Sequence, residues 1–304
     1  MIMLGAPLLT AIALPAQAHE TNAVDAIGDP WTFDAWVVAP LLFSGLLYFI
    51  GTQRLWRRAG LGRGVHQWQA ACFWTGWTCL ALALISPLHW LGERLFVAHM
   101  IEHTAIMGVA APLIAVSRPI GAFLWALPQA THRPLGQLAR ARVASALWRR
   151  LREPLAATAL QALALWLWHM PALYQLALTR PLAHRLQHLS FLLTASLFWW
   201  SLLQRGQRRH GYGIAIFCLF LTAMQSGVLG ALLTVSRRLW FPAQTTFPGF
   251  WGLSALEDQQ LAGLLMWVPM GMIYTAAALI FAARWIGTAS EPHPLGRRDV
   301  ALAR

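Results

Sequence analysis

The chain has 304 residues, 58% of them hydrophobic and only 11% charged, with a net charge of +12 and a mean hydropathy of +0.51. A soluble domain carries about 25% charged residues, so this composition cannot cover a water-facing surface and excludes an ordinary soluble protein. The basic residues are all arginine; in a soluble chain that surplus would suggest nucleic acid, but here topology explains it and no nucleic-acid partner is expected.

In chain order, residues 1–18 ("MIMLGAPLLTAIALPAQA") are a short apolar stretch closing on Ala16-Gln17-Ala18, an A-x-A cleavage pattern. The stretch lacks a positive charge at its start. It reads as a signal peptide whose removal would leave His19 first, on the outer side of the membrane. Seven runs then approach the roughly 20 apolar residues that cross a bilayer: 34–52, 67–88, 96–117, 155–177, 186–204, 212–235 and 260–283. The predicted fold is an all-α integral membrane protein, a seven-helix transmembrane bundle forming a single polytopic domain over 19–304.

The loops set the orientation. Outer loops carry Arg94, Arg180, Arg185, Arg237 and Arg238, and the other arginines fall at 53–66, Arg118, 131–154, 205–211 and the tail from Arg284. By the positive-inside rule the Arg-rich segments are cytoplasmic, which puts the N-terminus outside and the C-terminus inside. Acidic residues lean the other way, with Asp34, Glu93, Glu102, Glu257 and Asp258 outside. The 131–154 segment reads as a basic amphipathic surface helix lying on anionic headgroups. Cys72, Cys79 and Cys218 lie inside apolar runs with neither disulfide nor metal-motif spacing, so they read as small core residues.

Sorted by depth, the histidines fall into two groups. His66, His132, His210 and His293 sit in cytoplasmic Arg-rich segments. His99 and His103 ("HMIEH"), His169 ("WLWHMP"), and His184 and His188 ("HRLQH") gather at the outer ends of three spans. Residues i and i+4 share a helix face, so each pair can point both imidazoles at one object. Polar groups at such depth are costly and mark functional sites by default. Imidazole is a ligand for copper, zinc and haem iron. His89, in a short outer loop, reads as an ordinary interfacial residue. Asp258 and Glu102 read either as partners that fix imidazole tautomers or simply as interfacial acids. Met100, Met107, Met170 and Met266 read as membrane core, with Met266 a supporting candidate. A weak repeat relates 95–113 to 180–198, each preceded by a Pro/His pattern ("SPLHW", "WHMPAL"), so two facing hairpins would build one site.

The blocks "LFVAHMIEHTAIMGVAAPLIAVSRP" (95–119), "LWLWHMPALYQLAL" (165–178), "AHRLQHLSFLLTASLFWW" (183–200) and "EDQQLAGLLMWVP" (257–269) resemble the caa3-type cytochrome c oxidase assembly factor family, of the multi-spanning CtaG type. The resemblance implies a seven-span protein of the bacterial cytoplasmic membrane, needed to form active haem-copper oxidase and not itself an enzyme. It places His99, His103, His169, His184, His188, Asp258, Gln259, Gly263, Met266 and Trp267 on motif positions. Glu102 stands where an amide is common, Gln187 where an acid is common, and His89 where an Asp often follows "SPL". These exchanges argue against a direct ligand role for Glu102.

The leading expectation is copper handling: a periplasmic-face histidine cluster holds copper and passes it to the oxidase core subunit beside it in the bilayer. Two alternatives come from other classes. A b-type cytochrome would use paired histidines as axial haem ligands, with Gly108, Ala110, Ala111 and Ala195 lining the slot. A copper permease would need polar residues along a path, and Thr158, Gln161, Thr222 and Gln225 are the main ones. No HExxH, nucleotide loop or nucleophile elbow is present, because the acid of HMIEH is in the wrong position.

Overall fold

Proline, glycine and acidic residues punctuate the apolar runs, and the helices start and stop at them. The computed structural model describes residues 30–205, 211–242 and 252–289. The signal-peptide reading, His19, His210, His293 and most of the Arg-rich tail lie outside the described residues. Among the described residues every regular element is a helix.

Asp34 caps α1 (Ala35–Ala59), accepting from the Trp36 N–H at 3.0 Å. Next come α2 (Gln67–Ile85), α3 (Pro87–Gly92), α4 (Phe96–Ser117) and α5 (Pro119–Ala126). Then follow α6 (Gln129–Arg140), α7 (Arg142–Leu151), α8 (Pro154–Trp168), α9 (Pro171–Thr179), α10 (Pro181–Arg205), α11 (Tyr212–Val235) and α12 (Ala255–Ala289). Pro87, Pro119, Pro154, Pro171 and Pro181 each open a helix, where the missing N–H costs nothing.

Six helices (α1, α2, α4, α10, α11 and α12) are long and apolar enough to cross a bilayer, so this is a multi-pass membrane protein. The predicted run at 155–177 is not one continuous helix. The 15 residues of α8 rise about 22 Å, short of a hydrocarbon core of about 30 Å. Pro171 causes the break: it drives Met170 into extended backbone (φ −68°, ψ 131°) and α9 starts afresh. The 131–154 segment is two helices rather than one, because Ala141 is extended between α6 and α7. Neither helix buries a residue, and Leu138, Val143 and Leu147 stay exposed.

Helix α4 changes winding midway, where Ala105–Ala110 form a π turn. Side chains from neighbouring helices reach the carbonyls of this turn, as buried backbone in a membrane requires. The Cys79 thiol donates to the Ala105 carbonyl at 3.7 Å and the Trp199 indole to that of Met107 at 3.2 Å. Small residues let α11 and α12 touch: a Cβ on Gly263 would fall 2.6 Å from the Gly230 carbonyl oxygen. A separate apolar knot joins α1, α2 and α5, with Tyr48 stacked on Phe73 at 3.6 Å between ring centroids.

At one end of the bundle Arg185 Nε, in the first turns of α10, donates to Oδ2 of Asp34, the cap of α1, at 2.7 Å. At the other end Arg54 Nη1 donates to the Ala126 carbonyl at 2.7 Å.

Candidate metal centre

Two hairpins of the same build face each other. In one, α2 leads through the proline-started α3 into α4; in the other, α8 leads through the proline-started α9 into α10. Each delivers an HxxxH pair in the first turns of its long helix, as the repeat suggested. Within the pairs the ring centroids lie 4.2 Å (His99–His103) and 4.4 Å (His184–His188) apart. Between hairpins, His103 is 5.3 Å from His188 and His99 is 5.7 Å from His184. His169, closing α8, is 6.4 Å from His103. All five predicted histidines therefore belong to one cluster.

His89 corrects the sequence expectation. It is buried, with its ring 5.3 Å from His184 and 5.8 Å from His188, and its Nδ1 lies 2.7 Å from Glu102 Oε1. Burial alone would lower the His89 pKa, but the hydrogen bond and charge of Glu102 outweigh it and the pKa is raised. Glu102 is fully buried, and its Oε1 also sits 3.6 Å from His188 Nδ1. The ligand atoms of His89, Glu102 and His188 all lie within 4.8 Å of one another, as do those of His89, Glu93 and His184. The carboxylate therefore lies inside the cluster, and its contact with His89 Nδ1 is of the kind that fixes an imidazole tautomer. The signal that could have found His89 was the repeat, which sets "SPLHW" beside "WHMPAL".

Asp258 acts at a distance from the rings. Its two carboxylate oxygens accept the Phe96 and Val97 N–H groups at 2.8 and 3.0 Å, capping α4 one turn before His99. It fixes the helix and not a tautomer. Gln259 is likewise structural, accepting from Trp240 N–H and donating to the Arg238 carbonyl. Met170 is exposed, whereas Met100, Met107 and Met266 are buried.

His169 Nδ1 lies 2.7 Å from the Leu165 carbonyl. A carbonyl only accepts, so Nδ1 carries the proton and Nε2 keeps its lone pair free for a ligand. That Nε2 has no partner, nor do either nitrogen of His99 and His103, Nε2 of His184 and His188, Glu102 Oε2, or the amide of Gln187. Each such buried group costs about 1–3 kcal/mol while unpaired. Nitrogen donors with one carboxylate and no thiolate suit a transition metal such as copper or zinc.

The same geometry bears on the alternatives. Ala110, Ala111 and Ala195 are fully buried, and Gly108 packs on Met270 and Ile273. The cavity beside His103 and His169 is about 20 Å³, so a haem does not fit there. On the permease path, the Thr158 and Thr222 hydroxyls are spent on the Pro154 and Cys218 carbonyls of their own helices.

The comparisons with curated proteins and with solved structures find no match. The model of the cytochrome c oxidase caa3 assembly factor family matches residues 46–288, which span both hairpins and the helix that caps them, and the chain belongs to that family.

Proposed function

We propose that this assembly factor carries copper as cargo. It holds the ion at the histidine cluster on the periplasmic side of the bacterial cytoplasmic membrane and releases it to the core subunit of a haem-copper oxidase. The observation that carries this reading is the set of unpartnered imidazole nitrogens gathered from three helical segments around one buried carboxylate. Metal coordination satisfies such a set, and the Irving–Williams order favours copper among divalent ions. The role is that of a carrier, with no catalytic step.

Seven crossings support the same picture. His99 starts α4 and His184 starts α10, yet their rings are 5.7 Å apart. On this reading α8, which ends on His169, brings the chain back from the Arg-rich end to the histidine end between them. An odd number of crossings then leaves the N-terminus outside and the C-terminus inside, in keeping with the arginine bias.

The test is elemental analysis of the detergent-purified protein beside its His103→Ala/His188→Ala variant, with oxidase activity measured in cells carrying each. Stoichiometric copper in the parent, lost in the variant together with active oxidase, is expected. Stoichiometric iron, or normal oxidase maturation in the variant, overturns the proposal.

A further inference from the structure

We propose that the side of the cluster facing α8 and α12 is a distinct pocket for monovalent copper, formed by the thioethers of Met100, Met107, Met266 and Met270 with His103 and His169. The proposal rests on the copper-carrier reading for its choice of ion, and adds a second donor set of different chemistry.

All six residues line the one cavity of about 20 Å³, room for a single water-sized occupant. The four methionines are 1–5% exposed. Methionine is the side chain best able to fill an irregular gap, yet here four of them border a gap that stays open. The polar groups around it also lack partners: His169 Nε2, both nitrogens of His103 and Gln161 Oε1 are buried and unbonded. Gln161 Nε2 donates to the Tyr274 hydroxyl at 3.2 Å, which holds the amide in place and leaves its oxygen over. The π turn places Met107 and Gly108 on this side. A Cβ on Gly108 would come within 2.7 Å of Met270 Sδ, so the glycine is what lets that thioether reach α4.

The donors select the ion. Thioether sulfur is soft and suits monovalent copper, as imidazole does. No carboxylate lines the cavity. The cost of burying an ion grows with the square of its charge, so a single charge is far cheaper than two where only neutral ligands are available. On the opposite side Glu102 sits between His89 and His188, where a carboxylate offsets a second charge. The cluster thus offers a hard side and a soft side that share the α4 histidines. Monovalent copper enters the soft side as such, with no electron transfer within the protein.

The test is an anaerobic titration of the purified full-length chain with chelator-buffered monovalent copper, followed by X-ray absorption at the copper edge. The parent is compared with Met100→Leu/Met266→Leu/Met270→Leu, a volume-conserving change, with Gly108→Ala, and with His89→Ala/His184→Ala. Thermal unfolding checks that each is folded. Sulfur in the parent's copper shell is expected, with affinity lowered at least about tenfold in the methionine variant. Gly108→Ala is expected to weaken binding in the same direction, and the His89/His184 variant to keep its sulfur-bound copper. A nitrogen- and oxygen-only shell, or unchanged affinity in a folded methionine variant, overturns the pocket and leaves the copper-carrier reading standing. Absence of copper from the parent in either oxidation state overturns both.

Discussion

The Tyr48–Phe73 knot and the histidine cluster are both groups of buried, closely packed rings, and they differ in what the rings leave over. In the knot, Tyr48 stacks on Phe73 at 3.6 Å, and Phe123 meets Tyr48 edge-on at 6.3 Å. Carbon faces carbon, and only the Tyr48 hydroxyl goes without a partner there. In the cluster the ring spacings are much the same, 4.2 to 6.4 Å, but the rings carry nitrogen and most of those nitrogens are unbonded. Burial and ring packing therefore do not separate a core from a site. The count of unmet hydrogen bonds does.

Substitutions that trade nitrogen for carbon test that contrast most severely. His103→Leu should abolish copper retention while leaving apo-protein stability equal or higher, because each unpaired buried nitrogen costs about 1–3 kcal/mol. A marked drop in the unfolding midpoint of the metal-free variant would show that the ring was satisfied after all. Phe73→Ala should do the reverse: it costs about 3–5 kcal/mol of stability and leaves copper per folded chain unchanged, as detergent unfolding and metal analysis would read. Asp258→Ala falls between the two. It strips both acceptors from the start of α4 and should cost about 1–2 kcal/mol, the scale of a lost cap, and weaken copper binding without changing its stoichiometry. Asp258→Asn, which keeps one acceptor, should be milder. The smallest effect belongs to Tyr48→Phe: removing an unpaired buried hydroxyl should raise stability by about 1 kcal/mol, the low end of the cost of such a group.

What could be read from the sequence was what is local along the chain. The HxxxH pairs follow from helix spacing, and their common depth follows from arginine counts in alternate loops. The split of the fourth predicted run at Pro171 was missed because composition alone does not weigh one imino acid against an apolar stretch. Glu102 and His89 are 13 residues apart across two helix ends, a pairing that exists only once α3 folds back on α4. Asp258 shares the depth of the rings, so depth alone leaves it open between a ring partner and an interfacial acid, and only the fold shows its oxygens claimed by backbone N–H groups. The four methionines come from two helices, and nothing in either helix alone shows that they border one cavity.

The Asp258 cap also sets an order in time. Phe96 and Val97 wait for a partner that lies 162 and 161 residues further along the chain. Helices α4, α8 and α10 leave the ribosome and enter the bilayer long before α12 does. Through that interval the first turn of α4 keeps free N–H groups and the histidines stand without their final support. Helix α12, the last among the described residues, is thus the one that locks the entrance of the first histidine hairpin, and a chain cut short before Asp258 would carry every imidazole of the cluster and still lack its frame.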